Sequence, residues 1–266
     1  AGLETALFRA FLFSKGLTEY TFWGVERPSI ESDITIPLLP DEGVMGRWVQ
    51  RALRAGFRCL KVKMGGVPET DKRSLDIIRQ AVGRNENAVR LRLDGNQGFS
   101  VGTFLAFCDF LAEKGYPVEL FEQPLPKEDL KGLKKIRGRT PFPIILDEAV
   151  FTSEELRRVL DAGTCEGVNI KIAKSGLQEA AQIHALARQA GIRIMMGCMT
   201  ETMVGLSAAI YFAAGRGGID FIDLDAIHFL HHRRRFGNIM IDGPAYVLKD
   251  AAVPFCDGLP TPTPGK

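Results

Sequence analysis

Three acidic residues each close a short apolar run, in Leu93-Asp94-Gly95-Asn96, Phe121-Glu122-Gln123-Pro124 and Leu146-Asp147-Glu148. They stand 28 and 25 residues apart, and two lysine motifs keep the same rhythm, Leu60-Lys61-Val62-Lys63 upstream and Asn169-Ile170-Lys171 downstream. Three carboxylates brought to one place describe a site for a hard cation. Oxygen ligands suit Mg²⁺, which prefers octahedral coordination and keeps open positions for a substrate. Lysines on both sides add proton transfer. A lysine that abstracts protons near neutral pH needs a lowered pKa, and burial with a neighbouring cation, as Lys61 is to Lys63, supplies it. Two bases on opposite faces of one carbon, Lys63 and Lys171, would take a proton from one side and return it on the other. That inverts a stereocentre.

The elements that must position these groups follow from the spacing. An interval of 24 to 31 residues is about one strand, one helix and two loops. Strand-like runs recur eight times, near 33–37, 58–63, 89–94, 118–122, 144–147, 167–171, 193–196 and 221–223. Helical periodicity runs between most of them: Phe104, Phe107, Cys108 and Leu111, then Ile183, Leu186, Ala187 and Ala190, recur at i, i+3, i+4, i+7. Thr152-Ser153-Glu154-Glu155 reads as a capping box opening the helix after the fifth strand. Eight such βα units predict an α/β fold, a closed (β/α)₈ barrel of TIM type, with the acidic residues at the carboxyl-terminal mouth where barrel enzymes carry their sites. An open doubly wound sheet lacks support, since no glycine-rich dinucleotide turn is present.

Parity sorts the remaining candidates. Lys61 and Lys63 are two apart and both point into the barrel, while Leu60 and Val62 face the helices. Asn96 shares the parity of Asp94 and is placed to steady a metal-bound water or a substrate oxygen. Glu148 has the opposite parity to Asp147 and reads as a supporting residue behind the mouth, and Glu201, in Met199-Thr200-Glu201-Thr202, as an orienting group after the seventh strand. Asp223 and Asp225 face the same way at the end of the eighth strand. They are either a loop-stabilising pair or the holders of a cationic group such as an α-ammonium. His184 falls within a helix and reads as structural, and His228 has no assigned role. Cys198 reads as an inert buried thiol, because no histidine flanks it.

The 266 residues are 45% hydrophobic with a formal charge of +2, enough for one sizeable core and without the basic field of a nucleic-acid binder. The cluster Arg233-Arg234-Arg235 reads as a solvated loop. Five cysteines with no C-x-x-C spacing point to reduced thiols in a cytoplasm. No apolar stretch approaches a membrane span and no charged-then-apolar leader opens the chain. Residues 1–30 read as a lone helix and linker, with Leu3, Ala6, Leu7, Ala10 and Phe11 on one face. Residues 31–245 read as the barrel, and 246–266 as a C-terminal segment with a proline-rich tail.

Together, Lys61-Val62-Lys63, Leu93-Asp94-Gly95-Asn96-Gln97-Gly98, Phe121-Glu122-Gln123-Pro124-Leu125-Pro126, Asp147-Glu148 and Asn169-Ile170-Lys171-Ile172-Ala173-Lys174 resemble the enolase superfamily in its muconate-lactonizing-enzyme-like subgroup. The resemblance covers about residues 1–258. It implies one Mg²⁺ on Asp94, Glu122 and Asp147, Lys63 and Lys171 as the acid/base pair, and a metal-stabilised enolate. Residues 192–202 contain no histidine, unlike the mandelate-racemase-like subgroup. Asp223-Leu224-Asp225 resembles the signature with which dipeptide epimerases hold a substrate ammonium, so the resemblance favours a small-molecule dipeptide substrate and a homo-oligomer, with neither nucleic acid nor membrane as partner. N-acylamino acid racemases, o-succinylbenzoate synthases and cycloisomerases use the same lysines on substrates without a free ammonium. A Schiff-base lysine aldolase and a non-catalytic barrel are the readings from other classes. Three departures stand out: Gly176-Leu177 where the family has paired glycines, Ala226-Ile227-His228 where it has a proline-containing segment, and residues 1–30 as the remnant of an α+β capping domain.

Overall fold

The computed structural model describes residues 1–39, 41–83, 88–231 and 236–250. In chain order the elements are helices α1 (Gly2–Ser14) and α2 (Glu19–Trp23), strands β1 (Ser29–Glu31) and β2 (Ile34–Ile36), α3 (Glu42–Arg54), β3 (Cys59–Lys63), α4 (Pro68–Val82), β4 (Arg90–Asp94), α5 (Val101–Lys114), β5 (Val118–Glu122) and α6 (Leu130–Ile136). Then come β6 (Ile144–Leu146), α7 (Ser153–Asp161), β7 (Gly167–Lys171), α8 (Ile172–Ser175), α9 (Leu177–Ala190), β8 (Arg193–Gly197), α10 (Met203–Arg216), β9 (Phe221–Asp223), β10 (Ile239–Asp242) and β11 (Ala245–Leu248). Strands β2 to β9 form one eight-stranded sheet in sequential order, parallel throughout. This is the expected (β/α)₈ barrel.

Alternation along each strand builds two cores. Leu60, Val62, Leu91, Leu93, Phe121, Val168 and Ile170 face outward and pack on the helices, in one continuous cluster. Inside the barrel Leu120, Ile145, Met195 and Phe221 form a small apolar plug. Helix starts follow local sequence: Ser100 with Thr103 and Thr152 with Glu155 close reciprocal capping boxes, each satisfying two otherwise unpaired amides. The stripe on α5 is the predicted one. On α9 the buried stripe is Ala180, Ile183, His184 and Ala187, with His184 Nε2 2.9 Å from the Gly217 carbonyl. Its role is structural, as read from the sequence.

Three features depart from the simple repeat. The eighth strand is followed by a single 3₁₀ turn, Ala226–Phe229, instead of an α-helix. The chain then forms the hairpin β10–β11, which pairs antiparallel with β1 outside the barrel. The seam between β2 and β9 carries, among the described residues, one backbone hydrogen bond, from Asp33 N to Ile222 O at 3.3 Å. The third departure is α1, which buries Thr5, Phe8 and Leu12 towards α2 and α10. It leaves Leu3, Leu7 and Phe11 76%, 62% and 52% exposed. The apolar face read from the sequence thus points outward, because α1 packs sideways, with Phe8 against Phe22 and Trp23. The Arg233–Arg235 cluster and the proline-rich segment from 259 onward lie outside the described residues.

Candidate active site

Strand register delivers the chemistry to one layer. Lys63 pairs with Asp94 and Asp94 with Glu122 across β3, β4 and β5, so three ionisable groups meet at the carboxyl ends of neighbouring strands. Asp147 is the first residue beyond β6, and Lys171 ends β7, across the barrel from Lys63. Lys61, Lys63, Asn96, Asp147, Glu148, Lys171, Asp223 and Asp225 all line one mouth cavity of about 400 Å³.

Lys61 is more central than parity alone suggested. The residue is 3% exposed, and its ammonium lies 3.1 Å from Asp94, 2.7 Å from Glu122 and 2.7 Å from Asp223, joining two of the acidic trio to the aspartate pair. Lys63 donates to Asp94 Oδ2 at 2.7 Å. Lys171 donates to Asp147 Oδ2 at 2.6 Å. Burial works against the Lys61 charge, but Asp223, Glu122 and Asp94 outweigh it and hold the ammonium well above its ordinary range. Lys171 is likewise raised: burial lowers it and Glu122 and Asp147 prevail. The expected lowering is therefore absent at Lys171, because Glu122 and Asp147 lie close beside it.

Three buried carboxylates on neighbouring units, all with hard oxygen donors, fit a divalent cation. Their electrostatics fit as well. Burial and then the charge of Asp94 push Glu122 up to about 7, a like-charge strain that a cation among them relieves. In this arrangement Lys61 holds Asp94 and Glu122 against one ammonium, while Lys171 and Lys174 hold Asp147. Among the described residues the one acidic trio with an oxygen from each member within 4.8 Å of the others is Asp33, Asp223 and Asp225.

That second cluster contains the aspartate pair at the end of β9. Asp225 Oδ2 accepts from Thr35 N at 2.6 Å, and burial followed by Asp223 lifts its carboxyl to about 6. Asp223 is held below its ordinary value, with Lys61 overcoming burial. Thr35, Cys198, Met199, Ala226 and Phe229 complete this side of the cavity. The Cys198 thiol is pushed far up, by burial first and Asp225 next, as suits an inert thiol.

The supporting residues divide. Asn96 donates its amide N–H to Asp94 Oδ1 at 3.1 Å and its Nδ2 to Glu148 Oε1 at 3.4 Å. Glu148 faces the mouth after all, since β6 ends at Leu146 and strand alternation no longer governs a loop residue. Glu201 does not line the cavity. Its carboxylate accepts from Met199 N at 3.3 Å, bracing the loop whose Met199 and Thr200 do. His228 packs edge-on against Phe57, away from the mouth.

Sequence reasoning assigned no role to four residues that hold the site together. Lys174, one helical turn beyond Lys171, donates to Asp147 Oδ1 at 2.6 Å and to its carbonyl at 2.8 Å. Asn169, two before Lys171 and so facing inward with it, donates to Glu122 Oε1 at 2.7 Å. Gln123, in a left-handed conformation at φ 32°, accepts from the amides of Asp147 and Ala149 at 2.9 and 3.2 Å. Asp33 is the fourth. Spacing offered a signal for the first two, while Gln123 and Asp33 act across loops and the seam.

Known proteins resemble this chain in sequence and in fold. The profile of the family described as Enolase C-terminal domain-like matches residues 44–258. The L-Ala-D/L-Glu epimerase of Bacillus subtilis is 37% identical over 85% of this chain and 61% of its own length. The aromatic dipeptide epimerase of Herpetosiphon aurantiacus is 33% identical over 94% of this chain and 69% of its own. The solved structure of a dipeptide epimerase from Enterococcus faecalis, complexed with Mg and L-Leu-L-Tyr, superimposes with a TM-score of 0.79 at 32% identity, covering 87% of this chain and 65% of that one. The chain thus spans between three fifths and seven tenths of the lengths of these relatives.

Proposed function

Because this chain belongs to the enolase C-terminal domain-like family, we propose that it is a Mg²⁺-dependent dipeptide epimerase, an isomerase that inverts an α-carbon by 1,1-proton transfer. The observation that carries the reading is one cavity lined by Lys63 and Lys171 from opposite barrel strands and by the paired Asp223 and Asp225. Asp94, Glu122 and Asp147 are the residues that would hold the cation, which supplies Lewis-acid stabilisation as negative charge develops next to the substrate carboxylate. Lys63 and Lys171 address opposite faces of the α-carbon. One removes the proton and the other returns a proton from the far side. Lys61 holds Asp94, Glu122 and Asp223 in fixed relation, and Lys174 does the same for Asp147 beside Lys171. Asp223 and Asp225 receive the substrate ammonium, a buried ion pair made strong by charge-assisted hydrogen bonds.

N-acylamino acid racemases and cycloisomerases would leave Asp225 buried without a cationic partner, which disfavours them. The four described cysteines are free, which supports a reducing, cytoplasmic setting. No helix of the described residues is long and apolar enough to cross a membrane. The outward apolar face of α1 supports a homo-oligomer.

The test is a dipeptide panel in D₂O with Mg²⁺, read by loss of the α-proton signal. Exchange of a free dipeptide but not of its N-acetyl derivative is the expected result. Equal turnover of both would replace this reading with the N-acylamino acid racemase.

A further inference from the structure

The layer beneath the mouth of a (β/α)₈ barrel is ordinarily filled with branched apolar side chains. Here the side facing β2 and β9 is charged. Arg92 lies two residues below Asp94 on the same inward face of β4, 5% exposed. Its Nη1 donates to Asp33 Oδ2 at 2.8 Å and to the Ile222 carbonyl at 2.7 Å, and its Nε to Glu119 Oε2 at 2.7 Å. Asp33 is 1% exposed, and its second oxygen, Oδ1, is buried without a hydrogen-bond donor. One oxygen from each of Asp33, Asp223 and Asp225 lies within 4.8 Å of the other two. Burying this much charge is unfavourable unless every group is held, so its placement directly under Asp223 calls for a reason.

The seam supplies one. Strands β2 and β9 are joined by a single backbone hydrogen bond among the described residues, with the remaining links made by side chains. Arg92 reaches Ile222 O, Ser32 Oγ accepts from Leu224 N at 2.7 Å, and Asp225 Oδ2 accepts from Thr35 N. These links bracket Ile222, Asp223, Leu224 and Asp225, the segment that carries the aspartate pair. The ladder with β8 holds the other edge of β9 as far as Asp223. On the β2 edge the segment is held by the Arg92–Asp33 staple below and Asp225–Thr35 above.

We propose that Asp33 is a positioning residue for the ammonium subsite: stapled by Arg92 to the last barrel strand at Ile222, it supports Asp223 from beneath, keeps it on Lys61, and so fixes the carboxylate pair that receives the amino end of the substrate. The inference rests on the dipeptide reading. Burial, with Asp223 adding to it and Arg92 opposing, raises the Asp33 carboxyl above its ordinary value, and an oxygen of Asp33 lies within 4.8 Å of one from Asp223 and one from Asp225. An amide in place of this carboxyl keeps an acceptor for Arg92 and presents a donor towards Asp223.

The experiment compares Asp33→Ala and Asp33→Asn with the unmutated full chain in Mg²⁺. Steady-state epimerisation of a free dipeptide gives KM and kcat. Calorimetry with alanyl-α-methylalanine, which keeps the ammonium but has no α-proton on its second residue, gives affinity without turnover. Asp33→Ala is expected to raise both KM and Kd about tenfold or more, the scale of one charge-assisted hydrogen bond, with kcat changed less than about threefold. Asp33→Asn is expected to stay within about threefold of the parent in all three. Because the alanine variant leaves Arg92 partly unpaired, Asp33→Ala/Arg92→Met is measured beside it, with the same losses expected. Unchanged KM and Kd in a folded alanine variant would overturn the proposal, as would an asparagine variant as impaired as the alanine one. A merely structural staple would lower thermal stability and leave Kd alone. If the unmutated protein exchanges no dipeptide, the functional reading fails with it; if it does and only the Asp33 comparisons disagree, the positioning inference alone fails.

Discussion

At the scale of single residues, one charge network ties both halves of the proposed reaction together, and Lys61 is its hub. Removing either base should split the two half-reactions. In Lys63→Ala and in Lys171→Ala, epimerisation is expected to stop while solvent exchange survives for one substrate enantiomer, a different one in each. Deuterium incorporation into separated enantiomers checks this, and exchange of both enantiomers in both variants would refute the two-base scheme. Asp225 adds a pH dependence. Its carboxyl sits near 6, above the 3.8 of an unperturbed group, through burial and Asp223. A raised folded-state pKa favours the fold below the unfolded value, and that contribution is lost as pH rises through about 6. Over the same interval the carboxylate becomes able to receive an ammonium. KM for a free dipeptide should therefore fall as pH rises from about 5 to 7, and Asp225→Asn should flatten that component while raising KM by about one to two decades. A parallel pH profile in the variant would assign the dependence elsewhere.

At the scale of elements, the mouth depends on loops that leave no room for a side chain. Gly66 follows β3 at φ +73°, and a Cβ there would meet the Gly98 carbonyl of the loop after β4 at 2.2 Å. Those loops adjoin Lys63 and Asp94. Gly66→Ala is expected to destabilise the protein by roughly 2 kcal/mol or more, from backbone strain plus displacement of the neighbouring loop, and to lower activity. Gly115, at the carboxyl end of α5, has a similar φ of +64° but open space around it. Gly115→Ala should lose only about 1 kcal/mol and keep full activity. Equal losses by chemical denaturation would show that backbone conformation alone, and not the contact between loops, governs the site.

At the scale of the whole molecule, Asp94, Glu122 and Asp147 come from three successive units and meet only in the folded barrel, so cation binding should couple to global stability. A ligand at one hundred times its Kd adds about 2.7 kcal/mol, which for a domain of this size is a rise of roughly 5–11 °C in Tm. Mg²⁺ at that excess is expected to produce such a rise, EDTA to reverse it, and Asp147→Asn to reduce it sharply. An unshifted Tm in the unmutated protein would remove the metal assignment from these residues.

The sequence by itself determined the eight strands, their order and the side on which the chemistry sits. One acidic or lysine motif per βα unit is a local pattern, and alternation assigns Lys61, Lys63, Asp94 and Lys171 to the barrel interior without tertiary information. The capping box at Thr152 and the stripe on α5 were legible for the same reason. Parity failed where strands end: β6 stops at Leu146, and Glu148 turns into the mouth. Periodicity found an apolar face on α1 but not which side is covered, because that depends on where α2 and α10 lie. Asp33, Arg92 and Ile222 are separated by 59 and 130 residues, and nothing local relates them. Closing the barrel brings its first and last strands together, and that juxtaposition, decided only in three dimensions, puts a buried carboxyl under the aspartate pair.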